Sequence, residues 1–163
     1  MMASIAEAKP FKRSYSGWIV ATEIDTNGDG RRADSVTTTE KGTFGRATAN
    51  WQGELEPNPS GTCDNNPGIF KFDYVAVTGI EIYHKGDGMA WGLDQGTLCS
   101  NPLFGTFTFE VHLVLLGGTG RFEGATGSAI LSGEGVGLAG EPGVRATHQA
   151  VGGAIEGEIF LAP

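Results

Sequence analysis

"GTFTFEVHLVLLGGTGRFEGATGSAILSG", residues 105–133, holds two extended runs joined by a glycine-rich link. Its first half alternates strictly, with Phe107, Phe109, Val111, Leu113 and Leu115 on one side and Thr108, Glu110 and His112 on the other. A period of two places successive side chains on opposite faces of a strand, so one face of this segment is built to be buried. The run stops at Gly117-Gly118, and a second extended run starts at Ser128. Between them Gly120, Gly124 and Gly127 permit a positive φ or a close backbone approach, and Phe122 is placed to plug the end of a barrel. No helix follows whose N–H groups could cradle a phosphate, so the glycines read as a strand-to-strand connection.

The same period recurs outward from this segment. In "SYSGWIVATEI" (14–24) Trp18, Val20 and Ile24 oppose Ile19, Ala21 and Glu23, and in "GTFGRATANWQGELE" (42–56) Ala47, Ala49 and Trp51 share a face. "IFKFDYVAVTGIEIYHK" (69–85) holds two strand-like runs meeting at Gly79, and "GSAILSGEGVG" and "HQAVGGAIEGEIFLA" complete seven or eight strands. Turn-forming clusters such as "DTNGDG", "EPNPSGTCDNNPG", "HKGDG" and "LAGEPG" separate them. Beyond the N-terminal tail no stretch keeps a helical apolar stripe free of Gly and Pro. The expected fold is therefore all-β, a closed antiparallel barrel of about eight strands, with a β-sandwich as the alternative. Closure is favoured because it alone removes sheet edges, and strand glycines such as Gly45, Gly53, Gly153 and Gly157 suit a coiled sheet. Residues 1–9 read as a tail and 10–163 as one barrel domain.

Composition narrows the function. The net charge of −8 repels nucleic acid and anionic membranes, and the basic pairs are confined to Lys12-Arg13 and Arg31-Arg32. No apolar run approaches the roughly 20 residues of a membrane-spanning helix. "MMASIAEAKPF" shows neither a basic n-region nor an apolar h-region. Cys63 and Cys99 both fall in Pro/Asn/Gly-rich loops, where free cysteines are uncommon; this suggests a disulfide and a secreted or periplasmic setting.

Residues 117–127, "GGTGRFEGATG", are similar to the strand–GGxGxFxGAxG–strand signature of the allene oxide cyclase barrel superfamily, which includes plant dirigent proteins and bacterial spirotetronate-type cyclases. The resemblance covers that segment alone. It implies an eight-stranded barrel around an apolar cavity, often in dimers or trimers, that folds or orients a flexible substrate. It places no catalytic residue here, because the motif is architectural.

"EIDTNGDGRRADSV" (23–36) sets Asp25, Asn27, Asp29 and Gly30 in the first positions of a calcium loop, but Val36 stands where a bidentate Glu is required. A hairpin turn bonding to its own backbone is the favoured reading, with a weak structural calcium as the other. Glu110 and His112 share a strand face and form the one acid/base pair that spacing suggests, on the face expected to be solvated. His84 and His148 show no metal-ligand spacing. Trp18, Trp51, Trp91, Phe107 and Phe109 are the candidate cavity wall.

Two functions are consistent with these readings. One is a barrel whose apolar cavity handles a small hydrophobic molecule, as a cyclase, isomerase or dirigent-like protein without a cofactor. The other is a non-catalytic secreted or surface module stabilised by a disulfide and calcium. A cavity of at least ~300 Å³ with a buried titratable group would favour the first.

Overall fold

The alternation along residues 105–116 is an alternation of burial: Phe107, Val111, Leu113 and Leu115 are buried, and Thr106, Thr108, Glu110 and Val114 are exposed. The computed structural model describes residues 8–22, 25, 28–29, 31, 33–83, 86–139 and 148–163. Their strands are β1 (Ala8–Ala21), β2 (Asp34–Gly42), β3 (Gly45–Leu55), β4 (Gly61–Thr62), β5 (Phe70–Tyr83), β6 (Gly88–Asn101), β7 (Thr106–Thr119), β8 (Thr126–Ala139) and β9 (His148–Phe160). All pairings are antiparallel, in the order β3-β2-β1-β9-β8-β7-β6-β5. Pairing of β3 with β5, from Ala47↔Tyr83 to Leu55↔Tyr74, closes the sheet into an eight-stranded barrel and excludes the sandwich. The two-residue β4 is an appendage on β5. Pairing of β1 with β9 begins at Ala8↔Phe160, so residues 8 and 9 belong to the barrel rather than to the tail.

The ends of the barrel differ. One end carries the β2–β3 turn, the β5–β6 turn and the link from β7 to β8. There Phe122, on a short 3-10 turn (Gly120–Phe122), is fully buried, with its ring 5.1 Å from that of Phe44 and 5.0 Å from that of Tyr83. Gly120 has φ +61°, and a Cβ there would lie 2.1 Å from Asp87 Oδ1, so a side chain at this position would strain the backbone and displace the Asp87 carboxylate. Phe44 adopts φ 69° without being glycine, a conformation that costs on the order of 1 kcal/mol or more. Its ring contacts with Phe11 and Phe122 hold it there. This end is closed.

The middle of the lumen is filled by Trp91, Phe11, Met89, Leu113, Ile155 and Ile159, all at most 1% exposed. Gly79 on β5 pairs with Trp51 on β3 and with Trp91 on β6. A Cβ at Gly79 would stand 2.0 Å from the Trp51 ring, so the missing side chain is what lets the indole lie across the strand. At the opposite end the loop of residues 56–69 is tied to β6 by the Cys63–Cys99 disulfide, Cα–Cα 6.0 Å.

Candidate functional site

Among the described residues, the lumen meets solvent at the end opposite Phe122, here called the open end. A mouth of about 440 Å³ is lined by Arg31, Asp34, Glu56, Leu98, Phe107 and Gln149, among others. Beneath it lies a narrow recess of about 60 Å³ walled by Tyr15, Val36, Trp51, Tyr74, Phe109 and Val151. Asp34, Leu98 and Gln149 border both spaces. The recess alone is far below the ~300 Å³ of a ligand pocket, whereas the mouth exceeds it. Tyr15, whose hydroxyl donates to Ser132 O at 3.0 Å, has its pKa raised by burial, then by the charges of Tyr74 and Glu40, and is a neutral phenol.

The candidate residues disperse on this frame. Trp51 and Phe109 stand in the recess wall, Phe107 borders the mouth, and Trp91 is packed within the filled half. Trp18 is a correction: it is 63% exposed on the outer wall, in phase with Ser14 and Ser16 rather than with Tyr15 and Ile19, so it lines no cavity. Glu110 and His112 are paired, Oε1 to Nε2 3.1 Å, but on the outer face beside Lys71, Asp73 and Asp94. They cannot address the lumen from there. His148 is exposed at the start of β9, and His84 lies outside the described residues.

Of the calcium-loop residues, Asn27 lies outside the described residues. Asp25 Oδ1 accepts from the N–H of Gly28 (2.6 Å) and of Asp29 (3.2 Å), which is an Asx-type turn. Asp29 is engaged by the backbone N–H and the guanidinium of Arg31, which also reaches Glu56 at 3.1 Å. Among the described residues no three His, Cys, Asp or Glu side chains converge as a ligand set. With Asp25 and Asp29 engaged by backbone N–H groups and by Arg31, melting in about 1 mM calcium is expected to coincide with melting in chelator. A site of ~0.1 mM affinity would instead add about 1.4 kcal/mol, or about 3–5 °C in Tm, and that rise would restore the ion.

The group that pattern reading missed lies under the recess. Arg13, with no exposed side-chain surface, pairs through Nε with Glu40 Oε2 at 3.0 Å. Its Nη1 donates to the Tyr83 hydroxyl (2.7 Å) and to Thr43 O (3.1 Å), and Nη2 to Gly45 O (3.3 Å). The Tyr83 hydroxyl in turn donates to Glu81 Oε2 at 2.6 Å, and Thr38, in the recess wall, donates to Glu40 Oε1 at 3.1 Å. One guanidinium thus serves two buried carboxyls. Burial pushes Glu81 up to about 7, with the Glu40 charge adding to the effect. Burial also raises Glu40, against the pull of Arg13. A carboxyl raised in this way keeps a proton that the unfolded chain has released, so its contribution to stability falls as pH rises from about 4.5 to about 7. The signal was in the sequence: Arg13 is in phase with Phe11 and Tyr15, and Glu81 with Val77 and Tyr83.

No family model matches the sequence, and no curated protein matches it. Among solved structures the chain is similar to the pterocarpan synthase dirigent protein GePTS1, at 10% identity and a TM-score of 0.40 over 97% of this chain and 88% of that one. That likeness is too distant to carry residues or activity across.

Proposed function

We propose that the open half of the barrel binds a small apolar molecule, its body in the mouth and its tip in the aromatic recess. The observation that carries this reading is the asymmetry of the lumen among the described residues, plugged by Phe122 at one end and open at the other onto a mouth of about 440 Å³. A wall of Trp51, Phe109, Val36 and Val151 offers apolar contact, and Tyr74 and Gln149 give it polar points for orienting a ligand. The role that fits is shape selection and orientation of a flexible molecule, which is how a dirigent-like or cyclase barrel would act. The disulfide supports folding in an oxidising compartment and hence a secreted or periplasmic protein.

Because the chain carries −8, a neutral fluorescent probe such as N-phenyl-1-naphthylamine suits the test better than an anionic one. Titration should give saturable binding that Val36→Trp, filling the recess, weakens by about tenfold or more, while Thr37→Trp on the outer face leaves it unchanged. Equal binding by both variants would remove the recess from the account and leave the non-catalytic module as the reading.

A further inference from the structure

Two of the hydroxyls that line the recess have committed their protons elsewhere. Tyr15, on β1, donates to Ser132 O at 3.0 Å, and since a carbonyl only accepts, the direction of that bond is fixed. Missing side chains seat this phenol. A Cβ at Gly133 would stand 2.2 Å from the hydroxyl and one at Gly153 2.7 Å, and these two glycines pair across β8 and β9. Thr38, on β2, donates to Glu40 Oε1 at 3.1 Å. Glu40 is the carboxylate that Arg13 holds through Nε at 3.0 Å, so the threonine is the donor in that pair. Tyr15 and Thr38 are both buried, and neither can turn its proton into the recess without leaving a buried acceptor unpaired.

What these two residues offer a ligand is therefore oxygen lone pairs. Those of Thr38 are strengthened, because a hydroxyl that donates to a carboxylate is polarised and accepts more strongly. The indole of Trp51, whose N–H can only donate, is a hydrogen-bonding partner of Glu40 as well. Tyr74 and Gln149 each carry both a donor and an acceptor, so Tyr15 and Thr38 set the sense of the site. The surrounding charge has the same sense. No Lys, Arg or His is among the described residues lining the recess, Asp34 borders it, and Glu40 lies behind Thr38. Arg13 is committed to Glu40, Tyr83 and two carbonyls, and Arg31 in the mouth to Asp29 and Glu56. A carboxylate entering the recess would lose its hydration and meet lone pairs and anions. A carbonyl or ether would set lone pair against lone pair.

Resting on the ligand reading of this same site, we propose that the recess selects apolar molecules whose tip is a neutral hydrogen-bond donor, an alcohol or an N–H group. It rejects carboxylates and tips that only accept. Tyr15 and Thr38 are the residues that determine this specificity, each taking the ligand's proton donor on its hydroxyl oxygen.

Three probes of nearly equal size test this by displacing N-phenyl-1-naphthylamine from the intact protein. The tip of 1-naphthalenemethanol donates, that of 1-naphthaldehyde only accepts, and that of 1-naphthoate is an anion. The alcohol should displace at about one-tenth of the concentration that the aldehyde requires, and the naphthoate should be weakest. Thr38→Val and Tyr15→Phe, which keep the shape and remove the acceptor, should each shrink the preference for alcohol over aldehyde by about threefold or more. If Thr38→Val does not fold, Tyr15→Phe decides. Equal displacement by alcohol and aldehyde in the wild type, or an undiminished preference in the folded variants, would overturn the selection while leaving the ligand reading in place. Absence of saturable N-phenyl-1-naphthylamine binding would overturn both.

Discussion

Replacing Arg13 by Met is expected to cost about 3–5 kcal/mol of stability, the range for breaking a buried ion pair by removing one partner. Met fills the space well enough that packing is not the main loss. What remains is the Glu40 carboxylate without its cation, the Tyr83 hydroxyl without its donor, and the Thr43 and Gly45 carbonyls without theirs. In a chain of this length that deficit lowers Tm by on the order of 10 °C. The defect has a pH signature. Lowering pH protonates Glu40 and Glu81, so the gap between wild type and variant should narrow toward pH 4.5 and widen toward pH 8. Arg13→Lys should recover only part of the loss, because an ammonium cannot span Glu40, Tyr83 and two carbonyls at once. Arg13→Met combined with Glu40→Gln should be more stable than Arg13→Met alone. Urea melts at pH 8 and pH 4.5 would measure this. A loss below about 1 kcal/mol at pH 8 would mean that the cluster is hydrated rather than dry.

Opening the Cys63–Cys99 bridge is the second large effect. Its ends are 36 residues apart, and in the chain-entropy model a loop of that size stabilises by about 4 kcal/mol. Cys63→Ser with Cys99→Ser should therefore melt well below wild type, and wild type in reductant should approach the double variant. The bridge also anchors the loop of residues 56–69, whose Glu56 and Pro57 line the mouth. Probe affinity at the open end should fall with it, whereas hydrogen exchange at the Phe122 plug should not move. Equal melting temperatures of oxidised and reduced protein, with both thiols shown to be free, would refute the entropic account.

Much of the fold was legible because strand burial is a local property. The alternation of Phe107 through Leu115 identifies its buried face without knowledge of any partner, and the Gly117–Gly127 link could be recognised as a strand connection with Phe122 as its plug. The two cysteines are paired as expected, but Cys99 lies within β6 rather than in a loop, so only Cys63 has the loop position that suggested the bond. Local pattern failed where the inside of the barrel is not uniformly apolar. Ile80 and Ile82 are 56% and 50% exposed while Glu81 between them is fully buried, an inversion of the usual alternation. Trp18 failed in the same way, since its bulk suggested a wall and its phase put it outside.

By itself, then, the sequence determined the strands, their faces, the turns and the capacity for closure, because each depends on residues a few positions apart. It took closure of the sheet to bring β3 to β5, to gather Arg13, Glu40, Glu81 and Tyr83 from three strands, and to leave, among the described residues, one half of the lumen packed and the other open. Arg13 and Tyr83 are 70 positions apart, and Tyr15 and Ser132 are 117 apart. The energies of these contacts come from burial and charge in a shared interior, which exists only once the barrel has closed.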